Sequence, residues 1–173
     1  SPMGIIGLAT EKGGFSKRAE NYYVERAKGG TGLIITGVVK VENEIEKFHE
    51  GIIPCPTIDP GHFIMTAYEM TERIHAYGTK VFLQLGIGFG RVAAPQLVVG
   101  QPVAPSPIPN YWDPSVTCRE LTTKEVERIV KMAAESAAIA KEAGFDGVEI
   151  HAMHEGYLLD QFAIAMFNKR TDK

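Results

Sequence analysis

The sequence predicts an α/β protein built on a parallel sheet, and three observations predict it. Short, nearly uncharged β-branched runs, with "LIITGVV" at 33–39 the clearest, have the composition of strands buried on both faces. Longer stretches with helical periodicity and their own start and stop residues separate them. The two kinds alternate along the chain instead of clustering. Two architectures fit this alternation: an open doubly wound sheet, or part of a (β/α)8 barrel. A complete barrel needs roughly 250 residues. The 173 residues carry three full strands and at most the tail of an earlier one at 1–5, so on the barrel reading they make about half a barrel.

The elements follow in order. Ser16 is placed to cap a helix over 17–28, which Gly29 and Gly30 stop. The strand at 33–39 comes next, then a loop at 40–57 rich in charge and proline. Asp59 as cap, Pro60 at the first helical position and Gly78 as stop frame a second helix. Phe63, Ala67, Met70 and Ile74 fall on one of its faces. "KVFLQLG" at 80–86 is the next strand. The connection at 87–120 holds "QPVAPSPIPNYWDP", whose prolines forbid a regular helix or central strand, and its length marks it as a working loop or lid. Thr122 and Glu125 form a capping box, and Leu121 with Val126 a hydrophobic staple, for a third helix ended by Gly144. Val126, Ile129, Val130, Ala133, Ala137 and Ala140 are expected on its buried face. "FDGVEIH" is the last strand, and "YLLDQFAIAMF" begins a short helical segment.

Composition narrows the function classes. Hydrophobic content of 45% and charged content of 23% describe a globular protein, and a net charge of −3 with no basic stripe gives no general pull toward nucleic acid. Cys55 and Cys118 share no metal-type spacing, so neither a disulfide framework nor a zinc site follows, and a reduced cytoplasmic setting is expected. No apolar run reaches membrane-spanning length, and the first residues do not read as a signal peptide.

Two stretches hold the candidate chemistry. "GIGFGR" at 86–91 follows a strand, but its glycines are spaced G-x-G-x-G and "VAAPQLVVG" follows in place of a helix, so a dinucleotide phosphate loop is disfavoured and a flexible strand exit is expected. Within the strand before it, parity sets Val81, Leu83 and Leu85 on one side and Phe82, Gln84 and Gly86 on the other. Gln84 is then a polar amide in an apolar strand, in need of partners. "GVEIHAMHEGY" at 147–157 repeats the pattern. Val148 and Ile150 face the helices, while Glu149 and His151 face the barrel interior, with His151 at the C-terminal mouth where barrel sites lie. His154, at an odd offset, joins His151 only if the chain turns, which Gly156 permits. Two histidines at this spacing lack the third ligand zinc requires. Two neutral donors and the Tyr157 phenol suit instead a substrate oxygen that gains negative charge, with an acid nearby to deliver a proton.

Taken together and in order, "SPMG", "GGTGLIITG", "FLQLGIGFGR", "AGFDGVEIHAMHEGYLLDQF" and "NKRTDK" resemble the Old Yellow Enzyme family of FMN-dependent NADH:flavin oxidoreductases, and within it clostridial 2-enoate reductases and bile-acid oxidoreductases. The resemblance covers essentially the whole chain. It implies a (β/α)8 barrel with FMN at the mouth, and so selects the barrel over the doubly wound sheet. It implies that Pro2 and Met3 contact the flavin ring. Gly4 stands where many relatives carry a flavin-tuning Cys or Thr. Gly37 would lie beside the pyrimidine edge and N5, and Gln84 would hydrogen-bond the pyrimidine. His151 and His154 would bind the substrate carbonyl or carboxylate oxygen, and Tyr157 would donate a proton. The implied reaction passes hydride from NADH through FMN to the activated C=C of an α,β-unsaturated acid, ketone or thioester.

The sequence also departs from the family pattern. Glu155 is inserted between His154 and the Gly-Tyr pair, and "GIGFGR" replaces the usual H-x-G-R. The family's later strands, with the FMN phosphate site, do not follow, nor do the FAD domain and 4Fe–4S cluster of enoate-reductase-like members. Residues 1–173 are thus expected to be a partial FMN-binding barrel domain, truncated at both ends. Two alternatives stand beside the ene-reductase reading. One is a non-catalytic half-barrel whose open edges favour homo-oligomers; the other is a metal-assisted hydrolase using His151 and His154.

Overall fold

Strand–helix alternation becomes a parallel sheet with every long helix on one face. The computed structural model describes residues 7–154 and 156–172, so Pro2, Met3, Gly4 and Glu155 lie outside the described residues. In chain order the elements are α1 (Lys17–Lys28), β1 (Leu33–Ile35), β2 (Val39–Lys40), α2 (Pro60–His75), β3 (Lys80–Gly86), β4 (Val103–Ala104), β5 (Arg119–Glu120), α3 (Thr123–Glu142), β6 (Gly147–Ile150) and α4 (Leu158–Ala163). β3 is central, with β1 and β2 along one side and β6 along the other, all parallel.

The helices start where their caps dictate. Ser16 Oγ accepts from Ala19 N, Asp59 Oδ1 from His62 N, and Thr122 and Glu125 close the expected capping box. Arg119 and the Thr122 N–H and hydroxyl hold the Glu125 carboxyl at about 2 against a smaller opposing effect of burial. Phe63, Ala67, Met70 and Ile74 of α2 are fully buried against Val81, Leu83 and Leu85. One residue on α3 corrects the expected stripe: Val130 is 66% exposed. It lies one residue, about 100°, round from Ile129, and the buried line runs instead through Ile129, Ser136 and Ala140.

The 33–39 run is not one continuous strand. Between the pairs Ile35–Phe82 and Val39–Leu85 it spends three residues, Thr36, Gly37 and Val38, where β3 spends two. This is a β-bulge, of the kind found beside active sites. It is pinned on both sides: Thr36 Oγ1 accepts from Gln84 N at 3.1 Å, and Gly37 N donates to the Tyr23 hydroxyl of α1 at 2.8 Å. Burial pushes the Tyr23 phenol up to about 12, so it stays protonated.

Residues of α1, α2 and α3 share one hydrophobic core with Ile34, Val39, Val81, Leu83 and Leu85. The opposite face carries Phe82, Gln84, Gly147 and Glu149. Helices on a single face are the arrangement of a barrel arc, not of a doubly wound sheet. A second cluster, of Phe48, Ile53, Phe89, Val92, Ala93 and Val98, sits above the C-terminal ends of the strands. The 87–120 connection belongs to it and is no bare loop. It folds around Asn110, whose Nδ2 donates to the carbonyls of Arg91 and Ala93 and whose Oδ1 accepts from Trp112 N and Asp113 N.

At the N-terminal end of the sheet, Asp146 accepts from Lys80 Nζ, Val81 N and His75 Nε2 at 2.8–2.9 Å. Burial alone would raise its pKa, but these partners outweigh it and hold the carboxyl at about 2. A carboxyl depressed in the folded state contributes stability above its unfolded pKa and loses it as pH falls toward the folded one. The stability advantage of wild type over Asp146→Asn in urea titrations is therefore expected to be constant above 3.8 and to shrink as pH falls toward about 2; a gap independent of pH across that window would refute it. Deeper inside, Glu46 pairs with Lys40 at 3.5 Å, both essentially inaccessible to water. Glu46→Ala strands the lysine and is expected to cost about 3–5 kcal/mol in the same titrations; a loss under about 1 kcal/mol would show that the pair is not needed to balance charge.

Candidate active site

The site grows from the inner face of β3 and β6. Gln84 and Glu149 are cross-strand partners, so their side chains project to the same side. Gln84 is 6% exposed, and its Nε2 donates to Glu149 Oε2 at 2.7 Å. One layer below, Phe82 lies over Gly147, where a Cβ would come within 2.8 Å of the ring. One layer above, His151 N donates to Leu85 O, which keeps the histidine in register with β3 although β6 has ended at Ile150. The parity expected from the sequence is the parity observed.

Past His151 the chain turns. Tyr157 N donates to His154 O at 3.1 Å, and Gly156 takes φ 83° within that turn, a conformation glycine adopts without cost. The turn brings three rings together. His151 and His154 have centroids 5.5 Å apart, and Tyr157 stands 5.1 Å from each. Despite the inserted Glu155, Tyr157 thus remains beside both histidines. Phe89 supports the far side of the tyrosine at 4.6 Å. Burial, and secondarily the neighbouring His154, push the His151 pKa below its ordinary value, while Glu149 and Asp160 pull the other way. The net effect favours the neutral imidazole of His151.

The glycines of 86–91 form no flexible exit. Phe89 N donates to Glu46 Oε2 at 2.9 Å and Gly90 N to Oε1 at 2.6 Å. The loop is wrapped on a buried carboxylate of the protein itself, which takes the place an anionic ligand would need. Gly88, at φ 140°, passes so close to Leu158 that a Cβ would fall 2.8 Å from its Cδ2. Burial pushes the Glu46 pKa up, against Lys40 and the two N–H donors. Lys40 Nζ also donates to Glu46 O and lies 4.1 Å over the Phe48 ring.

Two residues of α4 complete the arrangement. Asp160 Oδ2 accepts from His154 N at 2.9 Å and Gly156 N at 3.1 Å. Gln161, fully buried, donates to Phe89 O and Gly156 O and accepts from Arg91 N. Sequence reasoning missed Tyr23, Lys40, Glu46, Asp160 and Gln161. Only the last two left a signal, an acid and an amide inside the apolar "LLDQF".

Of the sequence-derived candidates, Gln84, His151, His154 and Tyr157 all belong to β3, β6 and the loop that follows β6. Gly37 is buried at the bulge, with its N–H committed to Tyr23. Among the described residues no group of three or more His, Cys, Asp or Glu is arranged to hold a metal ion, and no helix is long and apolar enough to cross a membrane.

Comparison with known proteins shows the family of the chain. Over 173 residues the chain is 64% identical to cinnamate reductase of Clostridium sporogenes, covering all of this chain and 26% of that protein. It is 40% identical over 174 residues to NADH oxidase of Thermoanaerobacter brockii, covering 99% of this chain and again 26% of the relative. The chain thus spans about a quarter of the length of these relatives. Among solved structures, the old yellow enzyme homologue from Zymomonas mobilis superposes with a TM-score of 0.79 at 30% identity, over 99% of this chain and 48% of that one. Morphinone reductase in complex with tetrahydroNAD gives 0.77 at 28% identity, over 99% and 49%. The profile of the NADH:flavin oxidoreductase / NADH oxidase family matches residues 1–173, and the chain belongs to that family.

Proposed function

We propose that this chain supplies the substrate-oxygen and proton-donor half of an FMN-dependent ene-reductase that acts on an α,β-unsaturated acid, ketone or thioester with NADH as reductant. The observation that carries the proposal is the ring triangle of His151, His154 and Tyr157 at the C-terminal end of β6. Family membership and the identity to a cinnamate reductase support an enoate, and an aromatic group on its β-carbon would find an apolar wall in Phe89 beside Tyr157.

The residues present fit a flavin. Among the described residues Glu149 is the one partner of the Gln84 side chain, which leaves an amide hydrogen and Oε1 to pair with the alternating N–H and C=O groups of a pyrimidine edge. With its N–H spent on Tyr23, Gly37 would meet the ring through its other backbone atoms. FMN, when bound, supplies the hydride chemistry. The protein's part is electrostatic. His151 and His154 donate to the substrate oxygen, more strongly as it becomes an enolate, and Tyr157 gives its proton to the α-carbon. A neutral His151 can act as donor without placing a positive charge against the neighbouring ring.

A second reading concerns the 173 residues on their own. Ile150, on β6, is 45% exposed, and a strand buried on one side only is a poor catalytic floor. Mixed with FMN and then gel-filtered, this polypeptide alone is expected to elute colourless; flavin absorbance retained in its peak would overturn that.

The protein that carries this chain is expected to purify with bound flavin and to oxidise NADH when cinnamate is added; failure of both sinks the proposal. Replacing both histidines with alanine is expected to lower kcat/KM for the alkene by about 10²-fold or more while NADH still bleaches the flavin. A double variant that reduces cinnamate at the wild-type rate would remove the histidines from the mechanism. In NMR titrations the His151 ring is expected to titrate below 6.5 and to move upward in His154→Ala, which deletes the second of its two depressing influences. A midpoint above 6.5 would contradict the assignment of a neutral donor.

A further inference from the structure

Asp160 is 6% exposed, and its carboxylate is used by halves. Oδ2 takes two backbone N–H groups, those of His154 and Gly156. Oδ1 is buried and has no hydrogen-bond partner among the described residues. Burying a carboxylate with one oxygen unsatisfied costs free energy. An amide or hydroxyl could accept the two N–H groups with less penalty. The position therefore uses the charge, or the stiffness it imposes, for something besides closing the turn.

The neighbours indicate what. His154 and Gly156 flank the inserted residue, and the turn they belong to sets His154 and Tyr157 opposite His151. Asp160 sits in the first turn of α4, and the next residue, Gln161, ties the same turn to the Phe89 loop through Gly156 O and Phe89 O. Among the described residues, the titratable groups beside these rings are Glu149 from β6 and Asp160 from α4, which act on His151, and the Tyr157 phenol, which lies against both. We infer that Asp160 is a positioning residue for the histidine pair: through Oδ2 it holds the backbone N–H groups of His154 and Gly156, and with them the turn that sets His154 and Tyr157 beside His151. The inference rests on the reading of these histidines as oxygen-binding groups. The influence of Asp160 on His151, which favours its protonated form, agrees with the placement.

The test uses the full protein that carries this chain, loaded with FMN, and compares Asp160→Asn with Asp160→Ala. Asn keeps an acceptor for the two N–H groups and loses the charge; Ala loses both. In Asp160→Ala, kcat for cinnamate reduction is expected to fall tenfold or more while flavin content and the NADH-to-flavin half-reaction stay at wild-type values. Asp160→Asn is expected to recover kcat to within about threefold yet shift the acid limb of the pH profile, and the His151 NMR midpoint, to lower pH. A merely structural role would lower flavin content and both half-reactions together and leave the Asn variant's pH profile in place; that result overturns the inference, as does an Ala variant with unchanged kcat. If the wild-type protein reduces no alkene, the functional reading fails by itself. The His151 midpoint in Asp160→Asn and the hydrogen-exchange protection of the His154 and Gly156 amides in Asp160→Ala still decide the role of Asp160.

Discussion

One carboxylate that never meets water organises the mouth of this fold. Glu46 arrives from the loop after β2 and accepts the backbone N–H groups of Phe89 and Gly90 from the loop after β3. Its counterion, Lys40, is the last residue of β2. Against a well-packed apolar substitute such a pair gains little in stability, because both ions pay desolvation. What it does is join two loops at a fixed distance. Phe89 is held between Phe48 at 5.1 Å and Tyr157 at 4.6 Å, so the position of the tyrosine ring depends on a carboxylate more than forty residues before the loop it grips.

The same logic divides the molecule along the strands. At the N-terminal end Asp146, the residue before β6, ties α2 and β3 to that strand. At the C-terminal end each polar group is held by a neighbour and also faces a neighbour's chemistry: Gln84 by Glu149, the bulge by Tyr23, the His154 turn by Asp160. Barrels keep stability at one face and function at the other, and here the partition is visible in which polar groups are fully spent and which are not.

The helices could be read because their determinants are local. Ser16, Asp59 and Thr122 act on residues three positions away, and period alone placed Phe63, Ala67, Met70 and Ile74 in the core. Parity likewise put Glu149 and His151 on the inner face. Sequence reasoning went astray where a partner is distant. The bulge at Thr36–Gly37–Val38 depends on Tyr23 and Gln84, and the rigidity of "GIGFGR" on Glu46 and Gln161. A glycine run looks flexible until the group that fills its concavity is known. The Val130 error had a different origin: an apolar residue adjacent to the stripe was counted into it. The roles of His151, His154 and Tyr157 came from family resemblance joined to parity, and the geometry adds their mutual distances.

Those distances constrain the chemistry. Two imidazoles 5.5 Å apart, one of them partly withdrawn from water, cannot both carry charge without repelling strongly. The pair is therefore suited to a substrate whose oxygen is neutral or delocalised when it arrives and becomes more negative as the bond forms, because the donors then strengthen with the reaction instead of saturating beforehand. A fully dicationic pair would grip a carboxylate tightly in the ground state and gain less at the transition state. Burial and the neighbouring ring lower the affinity of His151 for a proton, while Glu149 and Asp160 restore part of it. The net effect lowers the pKa and favours the neutral imidazole, which can donate a hydrogen bond to a substrate oxygen and release it afterwards.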